Sequence, residues 1–154
     1  MDLNYNEIFD IYEKTKDHNW LLEQLMSVLK NFNAGKYKNS NEEILEGVLF
    51  CEIGEVLGKL GHLEESYKYM NKAQHLINKE PVDEISIWLR KAVYLIENKD
   101  IEKGKMYLIK IAENVGNYEE ALEWRDSLDV WDKYKYLVEG QIKPSNNDIN
   151  RTTM

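Results

Sequence analysis

Residues 41–78 read NEEILEGVLFCEIGEVLGKLGHLEESYKYMNKAQHLIN. In the first half, Ile44, Leu45, Val48, Leu49, Ile53, Val56, Leu57 and Leu60 recur at the three-and-four spacing of a helix with a wide buried face. Gly61-His62 interrupts that pattern. Leu63, Tyr67, Met70, Ala73 and Leu76-Ile77 then resume it, and Pro81 follows closely. Two helices joined by a glycine turn are predicted. Such a hairpin cannot cover both of its apolar faces alone, so the rest of the chain must supply the remaining core.

The 154 residues suffice for one domain with a sizeable interior. Residues 1–140 are expected to form it. Residues 141–154 are polar, contain Pro144, and read as a disordered tail. Cys51 is the single cysteine, which excludes a disulfide scaffold and favours a reducing compartment. Met1 to Tyr5 has neither a basic start nor an apolar run, and no segment approaches transmembrane length. A cytoplasmic protein with no membrane association is expected.

The net charge is −8. It falls as about −1 over residues 1–40, −4 over 41–80, −4 over 81–140 and +1 over the tail, so the acidity belongs to the helical body. Direct nucleic-acid binding is not expected, because phosphate contact needs clustered Lys and Arg. A basic protein or peptide suits this charge better.

Outside the hairpin, residues 4–16 read as a helix with Tyr5, Ile8, Phe9 and Tyr12 on one face. Asp17-His18-Asn19 interrupts it, with Asn19 as N-cap of a second helix from Trp20 to Phe32. Asn33-Ala34-Gly35 stops that helix. Ser40 and Glu43 fit a capping box before the hairpin. After Pro81 a fifth helix runs to about Glu97, with Asn98-Lys99-Asp100 as the turn. A sixth, Ile101 to Val115, is expected to bury residues among Met106, Leu108, Ile109 and Ala112. The last is read as unbroken from Tyr118 to Glu139, with Ala121, Trp124, Leu128, Trp131 and Val138 inward and Glu119, Glu123 and Asp126 outward. No segment alternates like a strand. The fold class is all-α.

Three phrases share one grammar: Gly61-His62-Leu63-Glu64-Glu65-Ser66, Gly116-Asn117-Tyr118-Glu119-Glu120-Ala121, and the degenerate Lys99-Asp100-Ile101-Glu102-Lys103-Gly104. Each has a turn residue, a polar residue, a bulky apolar residue and then a small residue three places on. The central hairpin resembles the tetratricopeptide repeat (TPR), a helix-turn-helix unit of about 34 residues. Phe50 stands at the large aromatic position, Ile53-Gly54 at the Leu-Gly pair, Ser66 and Ala73 at the small positions, and Met70 at an aromatic one. Trp88, Ala92, Gly104 and Leu108 form a second, looser copy. Residues 41–128 carry the likeness. Phe50 and Trp88 are 38 residues apart, longer than the unit. The resemblance implies a TPR-like right-handed α-solenoid of six or seven helices, with the last helix as a cap.

No arrangement of residues argues for catalysis. His18, His62 and His75 are scattered and lack ligand spacing, so they read as surface histidines. Cys51 reads as a packed thiol. Asp126, Asp129 and Asp132 lack the glycine and terminal Glu of a calcium loop. No phosphate loop or nucleophile elbow is present. Neither metal nor cofactor is expected.

The resemblance implies a binding surface on the first helix of each repeat. Carried over to this chain, those positions are Glu52, Glu55 and Lys59, then Leu89, Arg90, Val93 and Glu97. The stripe Glu119, Glu123 and Asp126 is a second candidate. The leading expectation is a non-catalytic module that captures a basic protein or peptide segment. One concrete form is an immunity protein neutralising a toxin such as a nuclease, where charge complementarity speeds and orients encounter. A peptide-sensing regulator and a small helical enzyme are the alternatives.

Overall fold

The computed structural model describes residues 3–38 and 44–142. Among these residues it has eight α-helices, one short 3-10 helix and no strand, which agrees with the all-α reading. The helices are α1 (Tyr5–Thr15), α2 (His18–Asn33), α3 (Glu46–Lys59), α4 (Leu63–Gln74), α5 (Glu84–Glu97), α6 (Ile101–Asn114), α7 (Tyr118–Trp124) and α8 (Leu128–Tyr134). The 3-10 turn Lys135–Leu137 follows. The chain forms two compact units that divide between Arg90 and Lys91, inside α5.

In the first unit α1 packs on α2, α2 on α3 and α3 on α4. Ile8, Tyr12, Leu21, Leu25, Val28, Leu29, Leu49, Ile53, Val56 and Leu57 make its core. These are the three-and-four positions of the first three helices, so the periodicity places the core directly. Asn4 caps α1 by accepting the Glu7 amide hydrogen at 2.9 Å. At α2 the cap is Asp17, accepting from the Trp20 amide at 3.0 Å. Asn19, expected in that role, lies inside the helix. Asp17 is the residue three before an apolar helix start, where a carboxylate also opposes the positive end of the helix dipole.

Helix α3 begins at Glu46, later than the periodicity suggests, and its flanking residue Leu45 offers no side-chain cap. The acceptor comes from far along the chain. Glu80 Oε1 takes the Gly47 amide at 2.8 Å and the Val48 amide at 3.4 Å. The expected capping box, Ser40 with Glu43, lies outside the described residues.

Three glycines, Gly47, Gly54 and Gly58, sit buried within α3, although each costs a helix about 1 kcal/mol relative to alanine. Close approach accounts for them. A Cβ on Gly47 would stand 3.0 Å from Glu80 Oε1 and 3.1 Å from Leu76. One on Gly54 would meet the Met70 thioether at 3.0 Å, and one on Gly58 would meet Arg90 at 2.6 Å. Ser66 donates to the Gly54 carbonyl at 2.7 Å. Because early α3 meets residues just past the end of α4 and Gly54, in mid-helix, meets Ser66 and Met70, α3 and α4 run antiparallel. The hairpin read from residues 41–78 is present, with α4 ending at Gln74.

Four helices end in one device. The residue after the cap is left-handed, at Gly35 (φ 77°), Gly61 (85°), Lys99 (70°) and Asp126 (54°). The next amide reaches back to a carbonyl inside the last turn: Lys36 to Asn31, His62 to Leu57, Asp100 to Leu95 and Ser127 to Leu122. These are Schellman stops, which satisfy carbonyls that a helix end otherwise leaves unpaired.

In the second unit Gly104 lets α6 approach α5: a Cβ there would stand 2.5 Å from Ile96 Cγ1 and 3.1 Å from the Ala92 carbonyl oxygen. Leu108 and Ile111 are fully buried on α6. Met106, expected inside, is 68% exposed. The final helix is not continuous. Asp126 and Ser127 stop α7, and α8 starts at Leu128. Trp131, Tyr134 and Val138 are buried, and Tyr118 packs edge-on against Trp131 at 5.1 Å. Of residues 141–154, read as a disordered tail, Gln141 and Ile142 hydrogen-bond back to the Val138 carbonyl, and 143–154 lie outside the described residues.

Candidate functional site

The residues carried over from the repeat resemblance do not share one open face. On α3, Glu55 lies 3.5 Å from the Arg90 Nε, and both side chains are largely buried. Glu52 lies within electrostatic reach of the Tyr5 phenol, which burial, with Glu52 and Cys51 beside it, pushes well above its ordinary value. Lys59 Nζ stands 6.0 Å from the centre of the Tyr12 ring. These α3 side chains face α1 and α5. Leu89, Arg90 and Val93 on α5 are interior, so an open groove at those three positions is corrected to packed structure. A wide apolar helix has more than one buried side, and the spacing of Leu89 and Val93 does not tell an inner wall from a surface. Glu97 is exposed and accepts a hydrogen bond from the Tyr134 hydroxyl.

The single cysteine and the histidines are now placed. Cys51 is a buried free thiol, and burial, followed by Glu55, Asp83 and Glu52 nearby, pushes its pKa up. An unreactive packed thiol is the result. His62 and His75 are exposed as read, whereas His18 is half-buried and bonded to Tyr12 at 2.8 Å. Among the described residues no group of three or more His, Cys, Asp or Glu could hold a metal ion, and no helix is long and apolar enough to cross a membrane.

The second candidate stripe is exposed. Glu119, Glu123 and Asp126 all face solvent. Glu120 is exposed too and accepts from the Asn117 side chain. Among the described residues, Glu123 has no hydrogen-bond or ion-pair partner. Lys135 stands near Glu119 and Glu139 and pairs with Asp132 at 3.2 Å; that hydrogen bond raises its pKa. Within the stripe it is thus Glu123 whose charge stays uncompensated among the described residues.

Trp124 sits within this stripe and was expected on the buried face. It is 84% exposed, the most exposed large apolar side chain described. The break at Asp126 is the reason. Up to Arg125 the helix carries Leu122 inward; the left-handed residue then redirects the chain, so Trp131 of α8 fills the interior while Trp124 does not. Periodicity extended across the break puts both on one face. The signal that could have revealed this is the polar run Arg125-Asp126-Ser127, whose Asp tolerates a left-handed backbone.

An indole among carboxylates offers a large rigid contact area with a cation-attracting face. No family model matches the chain, and no curated protein or solved structure matches it either.

Proposed function

We propose that the chain is a non-catalytic binding module of TPR-like solenoid architecture, whose acidic α7 surface captures a basic protein or peptide segment. Neutralising a toxin such as a nuclease is the concrete form that fits a small acidic protein. The solenoid reading is supported by neighbour-on-neighbour packing of α1 to α4 and by the close helix crossings at Gly54 and Gly104. Both glycines stand where the repeat pattern puts small residues.

One observation carries the binding reading: Trp124, 84% exposed, next to Glu123, which has no ion-pair partner among the described residues. Leaving an indole in water forgoes about 1.5–3 kcal/mol of burial, and tryptophan is among the residues enriched at the energetic centres of protein interfaces. Carboxylates around it select a cationic partner and exclude acidic ones.

Affinity capture from the native lysate, with elution by a salt gradient, tests this. The intact chain is expected to retain a basic protein that salt releases. Trp124→Ala, and separately Glu120→Lys with Glu123→Lys, should each lose it. Retention of the same partner by both variants would remove the α7 surface from consideration. Replacement of exposed residues leaves the fold intact, which circular dichroism of each variant checks.

A further inference from the structure

The first unit contains a junction where an imidazole and two lysines gather at the Tyr12 ring, with Arg90 also within electrostatic reach of the imidazole. His18 is the first residue of α2, and its Nδ1 lies 2.8 Å from the Tyr12 hydroxyl. Tyr12 belongs to the core and is 5% exposed, so this bond ties the start of α2 to the interior. Lys16 Nζ lies 5.4 Å and Lys59 Nζ 6.0 Å from the centre of the same ring. Arg90 of α5 is packed against Gly58, beside Lys59.

The anions nearby are already engaged. Glu13 pairs with Lys16 at 3.1 Å in an exposed contact, and Glu55 pairs with Arg90 at 3.5 Å. Asp17 accepts the Trp20 amide hydrogen. The N-terminal end of α2 itself disfavours a positive imidazole. The charges that act on His18 are thus Lys59, Lys16 and Arg90 on one side and Asp17, already committed as the helix cap, on the other.

We infer that His18 is an acid-sensitive latch between the α1–α2 pair and α3. Neutral, with its hydrogen on Nε2, it accepts the Tyr12 hydroxyl hydrogen through Nδ1. Protonated, it loses that acceptor and adds a fourth positive charge to Lys16, Lys59 and Arg90. The contact of α1 and α2 with α3 then loosens.

Burial of the ring, then Lys59, holds His18 below its ordinary value; Asp17 pulls the other way, and Lys16 and Arg90 add smaller pushes downward. In the unfolded chain His18 titrates near pH ~6.5. The unfolded state thus binds a proton before the folded one does. Stability contributed by the latch is complete above pH ~6.5, declines as pH falls from there to the lower folded value, and changes no further below it.

Amide hydrogen exchange between about pH 8 and 5, corrected for intrinsic rates, tests the latch. Protection of α1 and α2 amides is expected to fall several-fold relative to α4 as the pH drops. His18→Gln, which offers an acceptor but takes no proton, should abolish that fall. In parallel, NMR titration should give His18 a lower midpoint than the exposed His62 and His75, and Lys59→Met should move it upward. Protection of α1 and α2 that does not depend on pH, or the same decline in His18→Gln, overturns the proposal. So does a His18 midpoint that Lys59→Met leaves unmoved, a result that stands even where His18→Gln folds poorly.

Discussion

Gly104 and Gly54 are both buried helical glycines, yet alanine should affect them differently. At Gly104 the added methyl meets Ile96 Cγ1 at 2.5 Å and a backbone oxygen at 3.1 Å, and the backbone cannot move aside. Overpacking costs about 1–3 kcal/mol, against about 1 kcal/mol gained in helix propensity. Gly104→Ala is expected to lose up to about 2 kcal/mol on balance. At Gly54 the neighbours are the flexible end of Met70 at 3.0 Å, which can rotate away. Gly54→Ala should stay within about 0.5 kcal/mol of the parent. Thermal melting of both variants checks the contrast, and equal losses would show that Met70 is as fixed as the backbone. The buried Arg90–Glu55 pair offers a second comparison. Its 3.5 Å separation leaves the Arg90 Nε and Nη2 and the Glu55 Oε1 without hydrogen-bond partners. Glu55→Met leaves a buried cation alone and should cost about 3 kcal/mol or more, whereas Glu55→Met with Arg90→Met should recover most of that loss. Urea denaturation of the two variants separates these outcomes.

The elements were legible wherever one helix turn predicts the next, and illegible wherever the deciding partner lies elsewhere. The four Schellman stops illustrate this. Gly35 and Gly61 announce themselves, because glycine is the residue that takes a left-handed backbone freely. Lys99 was readable only through its polar turn, and Asp126 only through the short polar run Arg125-Asp126-Ser127, which the apolar spacing overrides by running on past it. A non-glycine residue there costs about 1–2 kcal/mol. Lys99→Gly, which touches no proposed binding residue, should therefore stabilise the chain by up to about 1 kcal/mol in the same denaturation assay. A loss would mean that Lys99 makes a contact outweighing its backbone strain. The start of α3 was misplaced for a different reason: its cap, Glu80, is 33 residues away. Glu80→Ala should cost about 1–2 kcal/mol, the worth of a helix cap, and Glu80→Gln less, since an amide oxygen still accepts the Gly47 hydrogen. If both variants match the parent, the end of α3 is held by something other than that carboxylate.

At the scale of the whole molecule, the all-α class followed from periodicity and the lack of alternation, and the first unit's core from the same rule. The division inside α5 could not be read, because α5 is apolar along its length and its spacing marks no boundary. The surface was the least legible part. Whether Leu89 and Val93 are walls or interior, and whether Trp124 is inside or out, depends on which helices pack against them. The net charge of −8 is what makes a basic partner the proposed one, and the exposed indole gives that proposal its place. Amide hydrogen exchange of the intact chain, with and without its captured partner, tests the binding account most directly. New protection confined to residues 118–134, with the α1–α4 amides unchanged, is the expected result. Protection on α3 and α5 with α7 and α8 unaffected would contradict it.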